Sequence, residues 1–164
     1  MRPIPAQELE SLFEFQKPPT SKIEQLHLKA IERAKAFRTS EAELLEILCD
    51  INRIQGFRAL GYKNLHTYCT LGLKLTDAQA YSLSQVAIKS ENFPEIKELI
   101  EEQKLHLSNA SQIARVITLE NKEELLEKAQ SLSKRELEYE IKKTHPEVIL
   151  KEKLKVISAS QSEI

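Results

Sequence analysis

The side chains best suited to catalysis or metal binding are scattered along this 164-residue chain. Its four histidines stand far apart, and neither His-x-x-x-His nor Cys-x-x-Cys, spacings that commonly hold zinc, occurs. With only three glycines, the sequence also has no glycine-rich phosphate loop and no Gly-x-Ser-x-Gly nucleophile turn. The sequence therefore predicts a protein that is not an enzyme, with no catalytic residue, no metal site and no cofactor.

The most informative pattern is a turn that occurs twice. Residues 73–78 (Leu-Lys-Leu-Thr-Asp-Ala) and 105–110 (Leu-His-Leu-Ser-Asn-Ala) share the form Leu-x-Leu-[Ser/Thr]-[Asp/Asn]-Ala. Each follows a short predicted helix and begins another, which predicts two helix-turn-helix-like units. Beyond the turns, the apolar faces superpose better at an offset of thirty residues than at the thirty-two of the turns themselves. The two second helices are therefore expected to be phased differently.

In DNA-binding helix-turn-helix proteins, the second helix presents its early residues to base edges. Successive side chains on a helix are rotated by about 100°. In the second helix of the first unit, the side chains expected to point inward are Ala80, Leu83, Ala87 and Ile88. Those expected to point outward are Ser82, Gln85 and Lys89, flanked by Gln79. In the second unit, Ala110, Ile113, Ala114 and Ile117 should point inward, and Gln112 and Arg115 outward. The predicted DNA-contacting set is Lys63, Lys74, Gln79, Ser82, Gln85 and Lys89. Helical proteins that do not touch DNA share this geometry.

Residues 61–68, Gly-Tyr-Lys-Asn-Leu-His-Thr-Tyr, form a second notable stretch. Its tyrosines, lysine, asparagine and histidine could stack on and hydrogen-bond a nucleotide. Tyrosines in such a stretch are more often half-buried at helix junctions, with the hydroxyl at the rim. We favour this second interpretation for Tyr62 and Tyr68.

The elements that must position these residues are helices, because Leu, Ile, Glu and Lys dominate and strand signals are missing. Four capping-box spacings indicate helix starts: Ser21…Glu24, Ser40…Glu43, Thr76…Gln79 and Ser133…Glu136. Residues 21–37 should form one helix, and a second should run from Ser40 until Gly56 stops it. These two should pair as a hairpin joined at Arg38-Thr39. The predicted buried face of the first comprises Ile23, Leu26, Ala30, Ile31, Ala34 and Phe37.

The rest of the chain predicts further short helices in an all-α, multi-helix array. They lie at about residues 64–71, 76–90, 95–103, 108–117, 120–130 and 133–143, with Gly72 as a left-handed C-cap and Pro94 opening the third of them. Prolines separate residues 1–20 as an N-terminal arm, whose Leu12, Phe13 and Phe15 could dock on the core. Residues 21–146 form the predicted helical domain, and 147–164 a C-terminal linker or tail.

Charge, cysteine content and hydrophobicity bear on where the protein resides and which partners it has. The net charge is −1, so no bulk attraction to DNA or membranes is expected, although residues 56–94 carry four basic side chains against two acidic ones. Cys49 and Cys69 cannot build a disulfide framework. No apolar stretch is long enough to span a bilayer, and no signal-peptide core is present. These features predict a cytoplasmic protein without a membrane partner.

The order of motifs resembles a known module. The run 44–53 (LLEILCDINR), then 60–69 (LGYKNLHTYC), then Leu75-Thr76 with Ala80-Tyr81, is similar to the helical N-terminal domain of bacterial HNH-endonuclease-like proteins. Phe93-Pro94-Glu95, residues 105–108 and residues 133–137 continue the resemblance in the same order, so that it covers residues 22–145. It implies a bacterial helical module for DNA contact or assembly, in which Asp50 and Arg53 match an acid and an arginine near the end of a helix. The nuclease centre is not in this sequence, so nuclease activity is not implied.

Three functions stay open at this point. The leading hypothesis is a non-catalytic DNA-binding module related to the N-terminal domains of HNH endonucleases. The alternative is a protein-interaction or oligomerisation module that does not bind nucleic acid, favoured by the near-neutral charge. A third hypothesis is an inhibitory relative that sequesters a full-length nuclease. DNA, a protein partner or further copies of the chain are the corresponding partners.

Overall fold

In a computed structural model, the described residues are 21–148 and 150, and they form α-helices and turns without a β-strand. The predicted all-α class is therefore confirmed. The predicted arm, residues 1–20 with Leu12, Phe13 and Phe15, lies outside the described residues, as does most of the predicted tail 147–164. Contacts divide the chain into two units, residues 1–38 and 39–164.

The helices of the described residues are mostly short. They are α1 (Lys22–Arg53), α2 (Gly56–Ala59), α3 (Leu65–Thr67, continued by a π-helical turn at Tyr68–Gly72), α4 (Asp77–Ser90), α5 (Pro94–Glu101), α6 (Leu107–Ala114), α7 (Lys122–Ser131) and α8 (Lys134–Thr144). The predicted starts at Ser21, Thr76 and Ser133 are confirmed as capping boxes. The proline predicted to open a helix, Pro94, is the first residue of α5.

The predicted hairpin at Arg38-Thr39 is wrong. Both residues and Ser40 lie inside α1. This stretch has no proline or glycine, so the backbone hydrogen bonds of the helix continue through it, and serine and threonine cost a helix interior only a few tenths of a kcal/mol. The spacing Ser40…Glu43 is therefore not a helix start.

The predicted buried face of residues 23–37 is also not a core. Every residue from 21 to 40 is exposed, including Ile23 at 79% and Phe37 at 64%. Amphipathic spacing correctly predicts the helix here, but it does not say whether a partner within the chain covers the apolar face.

Within residues 39–148, a core forms around α4 and α6. Helix α4 packs against α5 and α6, and α6 packs against α7 and α8. The largest fully buried apolar side chains come from most of these helices and from the end of α1: Leu45, Leu48, Leu65, Val86, Ile96, Ile113 and Leu137. Helix α4 also contacts α3 and the π-helical turn, and the Cys49 thiol of α1 donates to the Ala87 carbonyl of α4 at 3.9 Å.

Candidate nucleic-acid interface

Two tyrosines join the segment before α3 to the turn after it. Tyr62 and Tyr68 are half-buried and pack edge to face, with ring centroids 5.4 Å apart. A Cβ added at Gly72 would lie 2.9 Å from the Tyr68 ring and 3.1 Å from the Tyr62 ring. Glycine is needed here because a larger residue would push the two rings away. The favoured interpretation of these tyrosines as half-buried junction residues is confirmed, whereas the left-handed C-cap predicted at Gly72 is wrong, since the left-handed residue is Lys74 at φ 59°.

This junction carries two of the predicted DNA-contacting residues. Lys63 follows Tyr62, and Lys74 lies two residues after Gly72, so the two lysines stand on segments that contact each other. Both are exposed. The half-buried Leu73 and Leu75 anchor the turn on either side of Lys74. Because Lys74 is the exposed residue of these three, the Leu-x-Leu pattern presents a lysine just before the start of α4.

The start of α4 is fixed by a complete capping box. The Gln79 backbone N–H donates to the Thr76 hydroxyl (3.3 Å), and the Thr76 backbone N–H donates to Gln79 Oε1 (3.1 Å). The Thr76 hydroxyl also lies 2.9 Å from Gln79 Oε1. Gln79 is exposed, and its Oε1 takes part in the cap. Its amide NH₂ is therefore the group that remains available for contacts outside the helix. Asp77 is 89% exposed, with its carboxylate 3.2 Å from His66 Nε2.

The outward face of α4 is half-buried. Ser82, Gln85 and Lys89, predicted to point to solvent, are each partly covered, and the Lys89 ammonium lies 5.6 Å from the centroid of the Phe93 ring. Ala80, Leu83 and Ala87 are buried as predicted. Ile88 was predicted to point inward but is 44% exposed, because the buried arc of α4 is centred nearer Val86 and Leu83.

The second predicted unit is more deeply buried than the first. Ala110, Ile113, Ala114 and Ile117 are buried, as predicted. Gln112 was predicted to point outward but is buried, and its amide donates to the Lys134 carbonyl at 3.2 Å. The other predicted outward residue, Arg115, is half-buried. Because α6 contacts α4, α7 and α8, its outer side is also covered.

A cleft that the sequence did not indicate lies beside α4. It has a volume of about 630 Å³ and is lined by four carboxylates and two cations: Asp50, Glu91, Glu98, Glu101, Arg53 and Lys97. Asp50 and Arg53 pair with each other. Burial opposes the charge of Lys97, but Glu101 (3.4 Å) and Glu46 (3.5 Å) outweigh it and raise the pKa of Lys97.

The half-buried thiol of Cys49 also lines this cleft, and burial raises its pKa, although Lys97 opposes that shift. A thiol held in its protonated form is a poor nucleophile. The cleft joins residues from α1, α4 and α5 that are about forty positions apart, so no local sequence pattern could have revealed it. Its negative charge makes it unsuited to phosphate.

Within residues 21–148 and 150, no three His, Cys, Asp or Glu side chains converge as metal ligands would. In the same residues, no helix combines the length and apolarity needed to cross a bilayer. Comparison of the chain with protein-family models, with curated proteins and with solved structures finds no match.

Proposed function

We propose that this chain is a non-catalytic DNA-binding module, related to the helical N-terminal domains of HNH endonucleases. DNA would contact the surface formed by Lys63 and Lys74, the amide of Gln79 and the outward face of α4 with Ser82, Gln85 and Lys89. The observation that carries the proposal is the tyrosine junction, which holds two exposed lysines beside the capped start of α4. Lysines so placed can bind phosphates while the helix approaches a groove.

The charges near this surface support the same proposal. Residues 56–94 carry Arg58, Lys63, Lys74 and Lys89 against two acids. Each acid has a local partner: Asp77 lies 3.2 Å from His66, and Glu91 accepts a hydrogen bond of 2.7 Å from the Asn52 amide. Both acids thus have partners other than these lysines, and residues 56–94 carry a net charge of +2 although the net charge of the chain is −1.

The test is fluorescence anisotropy with the full chain and a mixed-sequence DNA duplex at two salt concentrations. The double charge reversal Lys63→Glu with Lys74→Glu should weaken binding at least tenfold. For every phosphate that the protein no longer neutralises, the log–log salt slope should fall by about 0.9. The matched control reverses two exposed lysines elsewhere, Lys134→Glu with Lys143→Glu, at the same net charge. It should leave affinity within about twofold, because phosphate contacts act locally.

Equal weakening by both double variants would show that binding depends on net charge alone and would reject this surface. Absence of binding by the unmodified chain at low salt would reject DNA binding altogether.

A protein-interaction module that does not bind nucleic acid is the second candidate. The acidic cleft between α1, α4 and α5 favours it, because a surface of this charge repels phosphate while it can bind a basic segment of another protein. Under this alternative, the chain would not bind the duplex, and neither double charge reversal would change the fluorescence anisotropy of the DNA.

A further inference from the structure

We infer that Gln85 hydrogen-bonds an adenine in the major groove of the duplex and is the residue of α4 that gives the module a sequence preference. The inference rests on the proposed function, because it concerns the DNA surface to which α4 belongs. Direct recognition of a base needs a side chain that offers a donor and an acceptor side by side, and the glutamine amide does so for N7 and the N6 amino group of adenine. The outward residues of α4 therefore differ in whether they can recognise a base.

The face of α4 that can enter a groove is a narrow stripe. Ala78, Ser82, Gln85 and Lys89 follow one another at intervals of four, three and four residues. On an α-helix these positions fall within an arc of about 60°. Ala78 is exposed and small, so the first turn of the helix can come close to the bases. Gln85 lies about 10 Å further along the helix axis.

The two glutamines of α4 differ in what their side-chain amides can still bond. Gln79 lies outside the stripe, about 100° round the helix from Ala78. Its Oε1 accepts from the backbone N–H and the hydroxyl of Thr76, at 3.1 and 2.9 Å, so both lone pairs of this oxygen are used within the cap. Within residues 21–148 and 150, by contrast, the side chain of Gln85 makes no hydrogen bond. Gln85 is also half-buried, which restricts its rotamers before DNA binds.

The other two polar residues of the stripe discriminate between bases less well. A serine hydroxyl is both donor and acceptor, so Ser82 can bond to base edges of either kind. The Lys89 ammonium is a compact charge that suits a phosphate, and it lies 5.6 Å from the centroid of the Phe93 ring. Gln85 is therefore the residue of the stripe with a bidentate contact to offer, and adenine is the base that matches it.

The charges around the stripe agree with this placement. Asp77 precedes Ala78 and lies about 100° away round the helix, so its carboxylate is outside the stripe. The acidic cleft meets α4 at Ser90, which is also about 100° from Lys89. Cations stand at both ends of the stripe, with Lys74 just before α4 and Lys89 in its last turn. They can contact phosphates while the stripe faces the base edges.

The first experiment changes one atom of each adenine. Fluorescence anisotropy at low salt measures binding of the full chain to a mixed-sequence duplex and to the same duplex with 7-deazaadenine in place of adenine. This base keeps its pairing and its minor-groove edge but lacks the N7 acceptor that the glutamine NH₂ needs. We expect the 7-deazaadenine duplex to bind at least about fivefold more weakly, because a bidentate base contact is lost. The control duplex carries 7-deazaguanine in place of guanine and should bind within about twofold of the unmodified one.

The second experiment assigns this preference to a residue. Gln85→Ala should bind the three duplexes within about twofold of one another, because the side chain that recognises adenine is gone. Gln79→Ala is the matched control, since it removes the same residue type from the same helix. It should keep the difference of about fivefold between the adenine and 7-deazaadenine duplexes. Circular dichroism checks that both variants keep their helices.

Equal affinity of the unmodified chain for the adenine and 7-deazaadenine duplexes would overturn the inference and leave DNA binding in place. A loss of affinity with 7-deazaguanine instead would assign base recognition to a lysine and would also overturn it. A preference for adenine that survives Gln85→Ala would do the same. Absence of binding to all three duplexes would reject the proposed function itself, and this inference with it.

Discussion

The two copies of the Leu-x-Leu-[Ser/Thr]-[Asp/Asn]-Ala turn have the same residue pattern and opposite environments. In the first copy, Asp77 and Ala78 are exposed. In the second, Asn109 and Ala110 are 4% and 0% exposed. One turn therefore presents its polar residue to solvent, and the other uses its polar residue inside the core. The comparison teaches that this pattern specifies a turn between helices but not the side of the helix that the protein buries.

The cause is a difference in where each turn bends. The left-handed residue is Lys74 in the first copy, inside the motif, and Gln103 in the second, two residues before the motif. As a result, α4 begins at Asp77 and α6 at Leu107, an offset of thirty residues against thirty-two for the motifs. The two-residue change rotates equivalent side chains by about 200°, which moves Asn109 from the solvent side to the core side. The expected difference in helix phase is confirmed.

The largest effect that tests this comparison is predicted at Asn109. Its amide donates to the Ala129 carbonyl (2.9 Å) and the Leu132 carbonyl (3.0 Å), so it ties α6 to the end of α7. Asn109→Ala leaves both carbonyls without this donor in a buried site and should lower the free energy of unfolding by about 2–3 kcal/mol. Urea denaturation followed by circular dichroism measures the change.

The matched variant is Asp77→Ala at the equivalent position of the first turn. Asp77 is 89% exposed and interacts with a half-buried histidine, so its loss should cost less than about 1 kcal/mol. Similar losses for the two variants would contradict the assignment of opposite environments.

Much of the fold follows from local sequence rules, because caps and helix breakers act within one turn. The starts at Thr76 and Ser133 and the entry of Pro94 are of this kind. Features that depend on contacts between distant segments could not be predicted from the sequence. The Gln112 amide is buried because α8 supplies the Lys134 carbonyl, and Gly72 is needed because Tyr62 packs on it.

The candidate site shows the same division. Lys63 and Lys74 could be predicted to be exposed from the polarity of the positions between apolar anchors. The partial burial of Lys89 could not, since the ring of Phe93 comes from the connection beyond the end of α4. Helix phase alone gives the direction of a side chain but not what the next segment places over it.

A smaller effect is predicted at the hydroxyl that the two turns share. Thr76 is the N-cap of α4 and holds the Gln79 N–H, whereas Ser108 lies within α6, whose N-cap is His106. Thr76→Ala should therefore lower the free energy of unfolding by about 1 kcal/mol. Ser108→Ala at an exposed position should change it by less than about 0.5 kcal/mol. Chemical denaturation of both variants measures the difference, and a larger loss at Ser108 would show that the second turn is capped like the first.

The smallest effect is also the one whose sign differs between the two turns. Lys74 has φ 59°, a left-handed conformation that glycine adopts without strain. Lys104 lies thirty residues later and is not left-handed; in the second turn the left-handed residue is Gln103, which precedes it. Lys74→Gly should raise the free energy of unfolding by about 0.5 kcal/mol, because the relief of strain exceeds the added entropy of the unfolded chain. Lys104→Gly brings the entropy cost without that relief and should lower it by about 0.5 kcal/mol. If both glycines stabilise, or both destabilise, the two turns do not bend at the positions described. Because Lys74 also belongs to the proposed DNA surface, Lys74→Gly should weaken DNA binding in anisotropy measurements while the fold becomes more stable, which separates its two roles.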